Sequence, residues 1–223
     1  MQKPLRVCTD VYLVGGSDVS HSYDCCVYLI DCGDLVLIDS GAGKNFDKIV
    51  SNIEDSGFNP RKLKAIIVTH AHIDHIGALH EFRKKLGAQI VCHELDAQAI
   101  EDGKGTAAEA YGVTYAPCRV DRRIEGSDAV LEFGKYHLRV IHIPGHTPGS
   151  IAVYLDNIDG RVLFGQDIHG PYYPEWGADP ALAKVSLGKL LDLKADILCE
   201  GHFGIYRPAI AVERYIRGYY DSL

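Results

Sequence analysis

The pattern of apolar and polar positions divides the chain into strand-rich stretches punctuated by helices. Leu5 to Val14, Cys25 to Asp31 and Leu35 to Asp39 are rich in Val, Leu, Ile and Tyr and are bounded by Gly, Asp or Ser, which predicts three strands of a meander. Asn45 to Ser56 changes period. Phe46, Ile49, Val50 and Ile53 recur at helical spacing, Gly57 stands as a C-cap and Pro60 follows. Ala65 to Thr69 is a short apolar run of strand length. Ile76 to Leu86 is helical, with Ile76, Leu79, Phe82 and Leu86 on one face and Gly87 closing it. Gln89 to Cys92 predicts a strand and His93 to Glu101 a helix. Asp102 to Pro117 is the least regular part, Gly-rich with Tyr111 and Tyr115, and reads as a loop or exposed insertion.

The second half repeats the theme. Strands are expected near Arg119–Ile124, Ala129–Phe133, His137–Ile143, Ile151–Leu155, Arg161–Gly165 and Asp196–Cys199, with helices over Pro180–Leu193 and Pro208–Tyr220. Strand-rich halves that each end in helices imply two sheets packed together with helices outside. At 223 residues the chain suits one domain, 1–223, with no linker or low-complexity tract to divide it.

Composition narrows the class. No apolar run reaches the roughly 18 residues of a membrane helix, and Met1 to Asp10 lacks the apolar core of a signal peptide, so no membrane association is expected. The net charge of −7 argues against a nucleic-acid surface, which would be basic. Cys8, Cys25, Cys26, Cys32, Cys92, Cys118 and Cys199 make an odd number with no C-x-x-C pair. They read as small buried hydrophobes, and a cytoplasmic location is expected.

The candidate chemistry lies just after the strand ending at Thr69. His70, His72, Asp74 and His75 put four ligand-type side chains into six positions. Residues two apart on an extended segment point the same way, so His70 and His72 can grip one ion side by side. Asp74 and His75 fall where the chain turns into a helix and face a neighbouring position. Three later segments pair a strand with a Gly-flanked polar residue. They are Ile143-Pro144-Gly145-His146-Thr147-Pro148-Gly149, Gly165-Gln166-Asp167 and Glu200-Gly201-His202. A single His after a strand is ordinarily a polar loop residue, but seven such residues in this arrangement are not solvated loop. Imidazole and carboxylate suit zinc and iron.

These motifs, in this order and over nearly the whole chain, resemble the metallo-β-lactamase superfamily. The resemblance implies an α+β fold, a four-layer αββα sandwich with its site along the edge between the sheets. It implies that His70, His72 and His146 hold one metal, that Asp74, His75 and His202 hold the other, and that Asp167 bridges them. The ions would be zinc, with iron or manganese as alternatives. Asp39, before Ser40-Gly41, matches an aspartate that supports the site from behind the ligands. Two positions depart from the family pattern. Gln166 stands where a Gly usually precedes the bridging Asp, and Phe203 follows the last His.

Two metals can share one water and lower its pKa towards neutrality, giving a hydroxide nucleophile that Asp74 would aim. No G-x-S-x-G elbow offers a serine instead. Two divalent ions set against Asp74, Asp167 and hydroxide leave the site near +1, which favours an anionic or polarised acyl substrate of small size. Candidate pocket residues are His21 and Tyr23 between the first strands, and His169, Tyr172, Tyr173 and Trp176 after Asp167. His80, His93, His137 and His142 have no spacing that recommends them. The flavin-linked diiron members carry Glu where His72 stands. The tRNA nucleases need a longer chain, and the helical module of typical glyoxalase II has no counterpart in the 21 residues after His202. The expected enzyme is a hydrolase of a thioester or related acyl bond similar to glyoxalase II, with a lactonase or a mono-iron persulfide dioxygenase as alternatives, acting as a monomer or homodimer.

Overall fold

The computed structural model describes residues 1–174 and 177–223, and Trp176 lies outside the described residues. Its first sheet has seven strands in sequence order: β1 (Leu5–Cys8), β2 (Val11–Gly15), β3 (Val27–Asp31), β4 (Leu35–Ile38), β5 (Leu63–Ile67), β6 (Gln89–His93) and β7 (Arg122–Ile124). The second runs β13-β12-β11-β10-β9-β8, from β8 (Asp128–Phe133), β9 (Tyr136–His142), β10 (Ile151–Asn157), β11 (Gly160–Gln166), β12 (Ile197–Glu200) and β13 (Ile205–Tyr206). The helices are α1 (Phe46–Asp55), the single turn α2 (Ile73–Ile76), α3 (Leu79–Leu86), α4 (Glu94–Asp102), α5 (Pro180–Asp192) and α6 (Ala209–Ser222).

The layers follow from side-chain alternation along each strand. In β3, Val27 and Leu29 face α1 and α3, while Tyr28 and Ile30 face the second sheet. In β11, Val162 and Phe164 face the first sheet, while Leu163 faces α5 and α6. Strands buried on both faces read as continuous apolar runs, and here they generate three cores: helix–sheet, sheet–sheet and sheet–helix. The expected αββα sandwich is the observed architecture. The seven cysteines are all unpaired and buried, and all of them sit in the helix–sheet or the sheet–sheet core. Among the described residues no helix is long and apolar enough to cross a membrane.

Local differences from the sequence reading have physical causes. The stretch Leu5–Val14 is two strands, not one, because Thr9-Asp10 reverses the chain, with Asp10 at φ 65. Asp tolerates this left-handed conformation without the Gly that would have signalled it. Ile76–Leu86 begins later than expected. The one-turn α2 ends at Ile76, and α3 starts at Leu79, so the apolar face continues across a break. Strand β7 is only Arg122–Ile124, and the two-residue β13 went unpredicted. The Asp102–Pro117 segment is irregular as expected but is partly sunk into the protein: Thr106, Ala108 and Tyr115 are buried.

One edge of the sandwich gathers the strand ends that matter. The C-termini of β4, β5, β11 and β12 and the loop between β9 and β10 meet there. The sheets are tied across it by Ile151 N–H to Thr69 O (2.8 Å), Cys26 N–H to Gly201 O (2.6 Å) and the Tyr28 hydroxyl to Glu200 O (2.8 Å).

Candidate metal centre

Seven side chains converge at that edge. His70 and His72 follow β5, Asp74 and His75 lie in α2, His146 is in the β9–β10 loop, and Asp167 and His202 stand past the ends of β11 and β12. The ring nitrogens of His70, His72 and His146 form one group. Asp74, His75, Asp167 and His202 form a second, with the potential ligand atoms of each group within 4.8 Å of one another. The Asp167 carboxylate divides between them. Its Oδ2 lies 3.5 Å from His146 Nε2 and 3.8 Å from His70 Nε2, while its Oδ1 lies 3.3 Å from His75 Nε2 and 3.4 Å from His202 Nε2. Asp74 Oδ2 faces His202 Nε2 at 3.1 Å and His75 Nε2 at 3.4 Å.

These residues fit divalent metal ions. The Nε2 atoms of His70 and His146 are buried and make no hydrogen bond among the described residues. Leaving such atoms unsatisfied costs about 1–3 kcal/mol each, unless an ion takes their lone pairs. The opposite ring nitrogens are already engaged. His75 Nδ1 donates to Asp39 Oδ2 at 2.7 Å, and His146 Nδ1 donates to Pro171 O at 2.9 Å. Both bonds fix the tautomer that presents Nε2.

Three further carboxylates hold these segments in place. Asp39, with no exposed surface, accepts from Thr69 N–H and Thr69 Oγ1, both at 2.7 Å, as well as from His75. It stands on the Nδ1 side of His75. The other two were not read from the sequence. Asp96, in the first turn of α4, accepts from Ala71 N–H (2.9 Å), Thr147 Oγ1 (2.7 Å) and Gly149 N–H (2.7 Å), joining the His70–His72 segment to the His146 loop. Glu200, fully buried, accepts from His202 N–H (2.7 Å) and Phe203 N–H (2.8 Å) and pairs with His169 Nδ1 at 2.6 Å. Its one sequence signal is a charge that prolongs a buried apolar strand. Gly201 is required here by close approach, since a β-carbon would run into the Asp167 carboxylate.

Gln166, which stands where the family usually has Gly, adopts φ 45, and its buried amide lies against Gly201. The amide oxygen and nitrogen make no hydrogen bond among the described residues. Of the candidate pocket residues, His21 accepts from Tyr23 N–H at 3.2 Å, and Tyr23 is exposed. His169 sits beside His202, with ring centroids 5.5 Å apart. Tyr172 spends its hydroxyl on Ile168 O (2.7 Å) and lays its ring 6.3 Å from His146, whereas Tyr173 is exposed on the same loop. Tyr111 also lies near the site: burial, and then the Asp74 charge, push its phenol up.

Protonation divides the two groups. Burial holds His70 far below the ordinary imidazole value, and burial with His146 takes His72 down to about 3. Burial also acts to lower His75 and His202. In His75 it is overcome by Cys25, Asp167, Asp74 and Asp39, which raise the imidazole far above its ordinary value. In His202 it is overcome by Asp167 and Asp74, which bring the pKa to about 10. A ligating imidazole must be neutral. At pH 7 the His70 group is therefore ready, while metal at the His75–His202 group displaces two protons. Below their folded pKa values, raising the pH frees those nitrogens. Affinity there is expected to rise by up to about a hundredfold per pH unit, while the His70 group stays flat near neutrality. Zinc titration calorimetry of the metal-free protein in buffers of different ionisation enthalpy measures this. Equal proton release by both equivalents would contradict it.

With the geometry in view, the relationships are clear. A probable metallo-hydrolase of Bacillus subtilis, YqgX, is 34% identical over 142 residues, 61% of this chain, which spans 65% of that protein's length. The hydroxyacylglutathione hydrolase GloC of Haemophilus influenzae is 24% identical over 189 residues, 82% of this chain and 86% of its own. The metallo-beta-lactamase GOB-18 of Elizabethkingia meningoseptica superposes with a TM-score of 0.80 at 25% identity, covering 100% of this chain and 89% of the other. A metallo-beta-lactamase of Cronobacter sakazakii gives 0.83 at 19% identity over 100% and 95%, a likeness of fold. The family profile described as the metallo-beta-lactamase superfamily matches residues 24–202, from the turn before β3 to the last histidine of the site, and the chain belongs to that superfamily.

Proposed function

We propose that the protein is a two-metal hydrolase that cleaves the thioester or a related acyl bond of a small molecule. The carrying observation is the division of Asp167, whose two oxygens face two separate groups of ligand-type side chains. His70, His72 and His146 would hold one ion and Asp74, His75 and His202 the other, with Asp167 shared. Two zinc ions there would activate a water near neutral pH and polarise the acyl carbonyl.

The chain's own residues supply position. Asp74 accepts a hydrogen bond from the attacking water and aims it, and Asp39 and Pro171 O keep the imidazoles turned the right way. A groove of ≈ 510 Å³ lies beside the segments that carry these residues, lined by Ala71, Leu95, Asp96, Glu109, Thr147 and Pro148 among others but by none of the seven side chains themselves. The likeness to a hydroxyacylglutathione hydrolase over most of both chains supports a thioester as first choice.

Elemental analysis of protein purified without added metal, followed by a panel of thioesters, lactones and phosphodiesters, tests the reading. Two zincs per chain with thioester turnover is the expected result. One iron per chain with oxygen uptake on a persulfide would overturn it, and lactone turnover without thioester turnover would move the substrate.

A further inference from the structure

Of the seven side chains at the metal centre, His202 is the one that meets solvent, its side chain 26% exposed, while the other six are buried. The residue after it is one of the two departures from the family pattern. Phe203 is large and apolar, yet 58% exposed. Single exposed apolar residues are common on protein surfaces and need no function. This one differs because it is held from behind through both its backbone and its ring. Glu200 N–H donates to Gly204 O at 3.0 Å, which closes a tight turn between β12 and β13. The fully buried Glu200 carboxylate accepts His202 N–H and Phe203 N–H on Oε2, at 2.7 and 2.8 Å. Its Oε1 lies 2.6 Å from His169 Nδ1, and the His169 ring stands edge-to-face on Phe203 with centroids 4.7 Å apart.

A buried carboxylate is costly to place, and its hydrogen bonds are what offset that cost. Here those bonds fix an exposed aromatic ring beside the most open side chain of the centre. A ring that is already ordered loses little freedom when a ligand covers it, so the contact it makes goes into binding. The neighbouring segment adds a second exposed ring. Cys26 N–H donates to Gly201 O at 2.6 Å, which lays the 21–26 segment along the turn. That segment carries Tyr23, 43% exposed and edge-to-face with His21 and Tyr111 at 5.4 and 5.7 Å. Phenyl and phenol rings pair with flat or apolar groups.

We propose that Phe203 is a specificity-determining residue: its ring is the seat for an aromatic acyl group whose carbonyl lies at the metal centre beside His202. This rests on the acyl-hydrolase reading above and goes further by naming the acyl group. The seat acts on binding, so its effect falls on KM more than on kcat.

The test is a matched pair of thioesters of one thiol, phenylacetyl and acetyl, with the zinc-loaded full chain, Phe203→Ala and Phe203→Leu. The parent is expected to favour the phenylacetyl ester in kcat/KM by roughly tenfold, mainly through KM, and Phe203→Ala to lose most of that preference. Phe203→Leu restores an apolar surface and is expected to recover part of it. Damage to the turn alone would slow both esters alike and leave the ratio as it was. Calorimetric binding of phenylacetate and of acetate to the zinc-loaded proteins reads the same preference without turnover. An unchanged ratio in Phe203→Ala, or a parent that cleaves the esters without favouring phenylacetyl, overturns the role of Phe203 and leaves the hydrolase standing. A parent that cleaves neither ester, yet binds phenylacetate over acetate through Phe203, overturns the thioester reading and leaves the seat. A parent that cleaves neither and binds the two carboxylates alike overturns both.

Discussion

Asp167→Asn is expected to lower zinc affinity by about 10²–10⁴-fold and to abolish hydrolysis of any substrate the parent chain turns over. Asp167 is 8% exposed and faces imidazoles on both oxygens, at 3.3–3.8 Å. Asn keeps the shape but makes one of those two ends an N–H donor. In either orientation one group of ligands then meets a donor where it needs a lone pair, and the site loses a full negative charge. Removing one partner of a buried charged pair costs about 3–5 kcal/mol, and each 1.4 kcal/mol is tenfold. The cost falls on both groups because the carboxylate is shared. Zinc affinity measured by competition with a chromophoric chelator, alongside turnover, reads the effect. A variant that keeps two zincs at parental affinity and a parental rate would sink the idea that Asp167 is shared. Asp156→Asn, on the exposed β10–β11 ladder, is the matched control and should change neither.

The difference between what the sequence disclosed and what it hid follows from how each feature is built. The sandwich was legible because β3, β4, β10 and β11 are buried on both faces and so read as apolar runs of strand length. The seven convergent residues were legible because each stands within a few positions of a strand end, where polar residues interrupt an apolar run. Asp96 and Glu200 were not. A carboxylate in the first turn of a helix ordinarily faces solvent, and what marks Asp96 is its set of partners 25, 51 and 53 positions away. Glu200 is defined by His169, 31 positions back, and by two backbone N–H groups that carry no sequence signature. Tyr111 sits in a segment without periodicity, so nothing local could say that its ring packs against Tyr23 near the Asp74 charge. Tyr172 shows the converse. It stands in the loop after Asp167 where an open hydroxyl was sought, but that hydroxyl is bound to its own loop at Ile168 O.

Asp39→Asn separates a part in the fold from a part in the metal centre. Asp39 accepts three hydrogen bonds, from Thr69 N–H on Oδ1 and from Thr69 Oγ1 and His75 Nδ1 on Oδ2. Asn can satisfy all three groups in one orientation: its oxygen takes Thr69 N–H, and its NH₂ replaces Oδ2. The Thr69 hydroxyl can rotate to accept. His75 can also accept, but only by giving up its Nδ1 proton, which leaves the neutral ring with its proton on Nε2. That is the nitrogen 3.3 Å from Asp167 and 3.4 Å from Asp74, where a lone pair is needed. The variant should therefore fold with a small loss of stability and bind zinc at the His75–His202 group about ten- to a hundredfold more weakly. Asp39→Ala leaves Thr69 and His75 unsatisfied instead and should cost about 3–5 kcal/mol. For a chain of this size that is roughly 6–20 °C in Tm. Asp96→Asn supplies the contrast, because Asp96 holds two backbone N–H groups and a threonine hydroxyl but no imidazole. Its loss should appear in Tm, with little change in zinc affinity. Thermal melts of the metal-free proteins and zinc titration of all three distinguish the roles. Parental zinc affinity in Asp39→Asn would show that His75 does not depend on Asp39 for its tautomer.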